Sequence, residues 1–234
     1  MIQEQVLVVT GARAGLGRHL AEHYLSLGWT VVGCSRQPSD LQAEHYRHFT
    51  CDVSQAAEVS QMFLGIRREF GRVDALINNA GIMMPGLVAT QPVSEVMETV
   101  GVNLVGAFSC TQEAIRLMAR RRTGRIVFVS SIVVPLANTG LGAYAASKAA
   151  IEELTRVVAR EVAPLGITAN AVGPSIIAGS GMATTMQGDV LAETIATKRL
   201  GKEITWDDVI SVIDFLLSST SQAVTGQTIY VGAV

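Results

Sequence analysis

Short runs of β-branched and apolar residues alternate with longer stretches of helical periodicity along this chain, and no other feature restricts its fold as much. Gln5–Thr10, Thr30–Ser35, Arg47–Cys51, Val73–Asn78, Arg125–Ser131, Gly166–Val172 and Gln227–Gly232 read as seven strands. Between them apolar residues recur at three- and four-residue intervals near 15–27, 55–70, 94–120, 142–163 and 206–217, which predicts helices. Strand, helix and strand in sequence force right-handed crossovers and parallel pairing. The pattern therefore predicts an α/β protein with a doubly wound, seven-stranded parallel sheet. A sheet covered on both faces needs much apolar surface, and hydrophobic residues make up 49% of the 234 while charged residues make up 16%.

No linker or low-complexity tract divides the chain, so residues 1–234 are expected to form a single nucleotide-binding domain. Only 175–199 lacks a period, and an irregular segment of that length is expected to be a substrate lid. Eighteen basic and twenty acidic residues give a net charge of -2, which leaves no electrostatic footprint for nucleic acid or an anionic membrane. No stretch approaches the ~18 uninterrupted apolar residues of a membrane span, and the N-terminus lacks the order of a signal peptide, so a soluble, cytoplasmic protein is expected. Cys34, Cys51 and Cys110 have no CxxC spacing and read as buried thiols, with no metal site.

Directly after the first strand stand Gly11, Ala12, Arg13, Ala14, Gly15, Leu16 and Gly17, opening a helix. The spacing is GxxxGxG, not GxGxxG, but the physics is the same. Glycines let the backbone turn tightly and approach a pyrophosphate, whose charge is offset by free N–H groups and the positive end of the helix. At the end of the second strand an Asp or Glu would hold the ribose of NAD(H); this chain has Cys34-Ser35-Arg36-Gln37. Arg36, helped by Arg13, suits a 2′-phosphate, which favours NADP(H) over NAD(H).

Tyr144 and Lys148 lie four apart at the start of a helix and share one face. A nearby ammonium together with a nicotinium is expected to favour the phenolate, lower the tyrosine pKa and make it a usable acid or base. On its own the pair also fits a core tyrosine beside a solvated lysine.

Further motifs accompany it in order: Asp52-Val53, Asn78-Asn79-Ala80-Gly81, Asn103, Ser131, Tyr144-x-x-Ser147-Lys148, Asn170-Ala171, Pro174 and Thr225-Gly226-Gln227-Thr228. Together with the glycine loop, they make the chain resemble, over essentially its whole length, the short-chain dehydrogenase/reductase family, a Rossmann-fold group. Within it the chain looks most like the bacterial 3-oxoacyl-acyl-carrier-protein reductases. The resemblance implies that Ser131, thirteen residues before Tyr144, binds the substrate carbonyl and that Ser130 is structural. It implies that Tyr144 transfers the proton, that Lys148 holds the nicotinamide ribose, and that Asn103 anchors a water in the proton relay. Asp52 would accept from the adenine, with Val53 beside it. Asn79, Ala80 and Gly81 would meet the adenosine ribose, and Pro174 and Ile177 would lie at the nicotinamide.

Several positions depart from the family pattern. Ser175 follows Pro174 where glycine is usual, Gly179 replaces a threonine, and Val134 replaces a glycine and is expected to narrow the cleft. The expectation is an NADPH-dependent reductase of a ketone, with a 3-oxoacyl thioester as the substrate class. The alternatives are a dehydrogenase of a small secondary alcohol, sugar or steroid, and a nucleotide-sensing protein without turnover. Leu104, Phe108, Ala149, Ala150, Leu154 and Val158 spread apolar surface around two long helices, which predicts a second packing partner. In the family such helices pair across two-fold axes, implying a homotetramer, with a dimer as the fallback.

Overall fold

The computed structural model describes residues 5–177 and 204–232. Its strands are β1 (Val6–Thr10), β2 (Thr30–Ser35), β3 (Tyr46–Thr50), β4 (Ala75–Asn78), β5 (Gly124–Val129), β6 (Ile167–Pro174) and β7 (Thr228–Val231), each within a residue or two of the expected run. All pair in parallel in the order β3-β2-β1-β4-β5-β6-β7. The helices are α1 (Gly15–Ser26), α2 (Ala56–Glu69), α3 (Val93–Val100), α4 (Ala107–Met118), the short α5 (Val133–Leu136), α6 (Gly142–Val162) and α7 (Trp206–Leu217).

The side-chain alternation of a strand explains why the inner runs are apolar throughout. Val6 and Val8 point into one core, with residues of α2, α4 and α6, while Leu7 and Val9 point into the other, with residues of α1 and α7. Leu76 and Ile77 of β4, and Ile126 and Val127 of β5, divide the same way. The edge strands β3 and β7 are only half covered. β1 has β2 on one side and β4 on the other, so the winding reverses between them and opens a crevice above their carboxyl ends.

The stretch expected as one helix over 94–120 is interrupted. Between α3 and α4 the chain makes a π-helical turn, Gly101–Gly106. Two long-range contacts fix it: Asn103 bonds to the backbone of Ile82, and Gly106 lies so close to Val53 that a Cβ there would stand 2.7 Å from Val53 Cγ2. The second apolar face of these helices also differs from the expectation. Val158 is buried in the core, and Leu104 and Leu154 pack partly against it, while Met97, Val105, Phe108 and Val157 are the large apolar side chains left exposed. No helix among the described residues is long and apolar enough to cross a membrane.

Candidate active site

At the crevice, backbone and side chain lock the glycine loop to two strands. Gly11 and Ala12 donate their N–H groups to Cys34 O at 2.8 and 3.1 Å. Thr10 Oγ1 accepts from the N–H groups of Asn79 (3.0 Å) and Ala80 (2.9 Å). Asn79 Nδ2 donates to Thr10 O at 2.9 Å and to Gly11 O at 3.3 Å. Gly11 and Gly15 have φ of +69° and +57°, and a Cβ at Gly17 would stand 2.2 Å from Gly11 O. The loop is therefore closed over the start of α1, whose N-terminus has no side-chain cap. Free first-turn N–H groups at the positive end of a helix, beside exposed Arg13, Ala14 and Gly15, form a donor set that fits a dinucleotide pyrophosphate.

The same geometry revises several expected contacts. The Ala12 side chain is fully buried in the core, and Gly17 is buried beneath the loop, so both shape the cradle from within. The Asn79 side chain is turned to the glycine loop, while Asn79 still lines the cavity beside Ala80 and Gly81. Val53 packs its side chain on Gly106. Asp52 Oδ1 accepts from the N–H (3.0 Å) and hydroxyl (2.8 Å) of Ser54, which fixes the carboxylate at the mouth of β3. Arg36 is exposed just past β2, and Asp40 in the same loop pairs with Arg18 at 2.5 Å.

A cavity of about 430 Å3 opens at the carboxyl edge of the sheet. Gly11, Ala14, Gly15 and Leu16 line one part of it, Ala80 and Gly81 another, and Ser131, Tyr144, Lys148, Pro174 and Ile177 a third. Arg13, Arg36, Asp52 and Val53 lie outside this lining. Tyr144 and Lys148 come from the first two turns of α6 and are both buried, with Lys148 Nζ 5.7 Å from the centre of the Tyr144 ring. Lys148 Nζ donates to Val129 O at 2.8 Å. Asn103 accepts from Ile82 N at 2.8 Å and donates to Ile82 O at 3.0 Å and to Ser147 Oγ at 2.9 Å. A Cβ at Gly81 would stand 3.3 Å from both Asn103 Oδ1 and Lys148 Nζ, so the glycine admits both side chains.

Burial dominates the electrostatics. It pushes the Tyr144 hydroxyl up to about 12, and the hydrogen bond from Ser131 only partly opposes the rise. This reverses the expected lowering. Burial also pulls the Lys148 ammonium down to about 8. Near neutral pH the arrangement holds a protonated phenol, a hydroxyl bonded to it and an adjacent ammonium around one end of the cavity. Such a set can polarise a carbonyl and deliver a proton to its oxygen.

Sequence reasoning missed the rest of the wall. Met83, Val133, Asn138, Leu141 and Trp206 line it from separate loops and helix ends. Val134 is not among the lining residues, so the expected narrowing at that position gives way to its neighbour Val133. Of the expected lid, Ser175, Ile176 and Ile177 lie in the cavity wall, and 178–199, including Gly179, fall outside the described residues.

A family model described as short chain dehydrogenase matches residues 5–190. A 3-oxoacyl-[acyl-carrier-protein] reductase of Staphylococcus epidermidis is 34% identical, and the match covers 96% of each chain. Among solved structures, a short-chain dehydrogenase of Leptospira borgpetersenii with bound NAD+ has a TM-score of 0.89 at 27% identity, covering 98% of this chain and 92% of that one. The protein ElxO with NADP bound has a TM-score of 0.88 at 26% identity, covering 97% of each.

Proposed function

The chain belongs to the short-chain dehydrogenase family, and from that premise we propose that it is an NADPH-dependent ketone reductase whose substrate class is a 3-oxoacyl thioester. The observation that carries the reading is the convergence of Ser131, Tyr144 and Lys148 on one end of a cavity continuous with the glycine loop. The similarity to a 3-oxoacyl reductase over nearly the whole chain supports the substrate class.

In this reading the glycine loop and the first turn of α1 hold the pyrophosphate, Arg36 and Arg13 face the 2′-phosphate, and Asp52 receives the adenine amino group. Asn79, Ala80 and Gly81 meet the adenosine ribose through their backbone and Lys148 the nicotinamide ribose, with Pro174 and Ile177 at the ring. When bound, the dinucleotide supplies the hydride that adds to the carbonyl carbon. Ser131 donates a hydrogen bond to the carbonyl oxygen and holds it against Tyr144. Tyr144 gives its hydroxyl proton to that oxygen as the C=O bond becomes C–OH. Lys148 stabilises the phenolate left behind, with a charge that the surrounding burial leaves poorly screened. Asn103 fixes the Ile82 backbone against the π-helical turn and so sets the floor beside Lys148.

Exposed Val105 in the π-helical turn, Phe108 on α4 and Val157 on α6 support pairing of these helices between subunits, in a homotetramer or a dimer. The direct test of the mechanism is Tyr144→Phe. Turnover falls by about two to four orders of magnitude while the dissociation constant for NADPH stays nearly unchanged. Turnover close to that of the parent protein would remove Tyr144 from the chemistry.

A further inference from the structure

Behind the cavity wall at the end of β5, which Ser130 itself lines, lies a buried polar cluster that the proposed reaction does not use. Glu152 stands one turn beyond Lys148 on α6 and is 7% exposed. Its Oε1 accepts from Ser130 Oγ at 2.6 Å and from Tyr230 Oη at 2.8 Å, and its Oε2 is 2.9 Å from the same Tyr230 hydroxyl. Tyr230 reaches it by lying across β6. Its register partner there is Gly173, where a Cβ would stand 2.4 Å from Tyr230 Cδ1 and 3.5 Å from the carbonyl carbon of Ser131. The cluster thus joins α6, β5 and β7, and the missing side chain on β6 makes room for it.

A carboxylate buried this far, whose hydrogen-bond donors among the described residues are two hydroxyls, is costly to desolvate. An apolar residue of similar size would stabilise such a position at least as well. Its placement offers a different reason for its presence. Tyr144, Lys148 and Glu152 are spaced by four and share one face of α6. Between them they engage three consecutive residues at the end of β5: Tyr144 the Ser131 hydroxyl, Lys148 Val129 O at 2.8 Å, and Glu152 the Ser130 hydroxyl at 2.6 Å. The backbone of the same segment is tied to β6, from Ser130 N to Val172 O at 2.7 Å and from Ile132 N to Pro174 O at 3.0 Å. Beside the apolar packing of α6 on β5, Glu152 adds a side-chain hydrogen bond to this segment from a residue outside the two assigned to chemistry.

We propose that Glu152 is a positioning residue that sets the register of α6 against the end of β5, and with it the separation of Ser131 from Tyr144, while Tyr230 anchors it to the last strand. The proposal rests on the reading of Ser131 and Tyr144 as the catalytic pair.

The test compares Glu152→Leu, Glu152→Gln, Ser130→Ala and Tyr230→Phe in ketone reduction, with competent sites counted by NADPH titration. Glu152→Leu lowers kcat per competent site by about tenfold to a hundredfold, the loss expected for a small misplacement of reacting groups, and leaves ketone KM and NADPH affinity within about twofold. Glu152→Gln keeps an acceptor oxygen and restores kcat to within about threefold of the parent. Unchanged kcat per competent site in Glu152→Leu, with only fewer sites or a lower Tm, would overturn the proposal, as would equal damage in the Gln and Leu variants. If Glu152→Leu does not fold, the Ser130→Ala and Tyr230→Phe pair decides. Losses in kcat that are not additive support the cluster, and unchanged kcat in both refutes it. Tyr144→Phe in the same assay separates the two readings. Full activity there removes the catalytic pair itself, whereas an inactive Tyr144→Phe beside a fully active Glu152→Leu removes only the positioning role.

Discussion

At the glycine loop directional hydrogen bonds tie down the base, while the first-turn N–H groups stay open to a ligand. Thr10, Asn79 and Cys34 bond the loop to β1, β2 and β4, and three glycines leave no room for a Cβ or require a left-handed φ. At the other end of the same cavity the wall is made by Met83, Val133 and Leu141, side chains from separate segments that meet through apolar contact. Directional bonds to backbone fix one geometry, so the first end suits a ligand part that is the same in every turnover. Apolar side chains can be exchanged and repacked at modest cost, so the second end suits a part that differs between substrates.

The contrast predicts a graded set of effects. Gly17→Ala strikes the rigid end hardest, because its Cβ meets the backbone of Gly11 and not a flexible side chain. NADPH affinity falls by about a hundredfold or more and stability by ~3 kcal/mol, measured by titration and thermal melting. Unaltered affinity would mean that the loop is looser than its hydrogen bonds imply. Next comes Arg36→Asp, which replaces an attraction for the 2′-phosphate by a repulsion. NADPH binding weakens by about tenfold to a hundredfold and NADH binding changes little. An unchanged ratio of the two dissociation constants removes Arg36 from cofactor choice.

The Lys148 ammonium, held down to about 8 by burial, gives a pH signature. It is present below that value and lost above it, so reduction at saturating cofactor slows by about tenfold per unit as the pH rises beyond it. Lys148→Arg, which keeps its charge, should abolish this descending limb, and its persistence would assign the limb to another group. The smallest effect belongs to the adaptable end. Met83→Ala shifts ketone KM by about threefold to tenfold, in opposite directions for short and long acyl chains, with NADPH affinity unchanged. A loss common to all chain lengths would place Met83 in the rigid part.

What the sequence carried follows the same division. The strands and the glycine loop were legible because a period of two, a period of 3.6 and the steric demands of a tight turn are local properties. The cavity wall was not, because Met83, Val133, Leu141 and Trp206 are ordinary apolar residues until the fold brings them together. The π-helical turn at Gly101–Gly106 was hidden for a similar reason: Asn103 is bonded to Ile82, twenty-one residues away, and periodicity carries no trace of that. Glu152 reads in the sequence as one more charged residue on a helix, and only the approach of Ser130 and Tyr230 reveals it as buried. The direction of the Tyr144 shift was misjudged because the neighbouring ammonium is legible in the sequence and the depth of burial is not.

The central claim is that the cavity reduces ketones, and the most direct measurement is nicotinamide absorbance when purified protein is mixed with NADPH and a short 3-oxoacyl thioester. The account predicts stoichiometric loss of the reduced cofactor and formation of the 3-hydroxyacyl product, both abolished in Tyr144→Phe. Tight NADPH binding with no oxidation across a series of 3-oxoacyl thioesters and other ketones would contradict it.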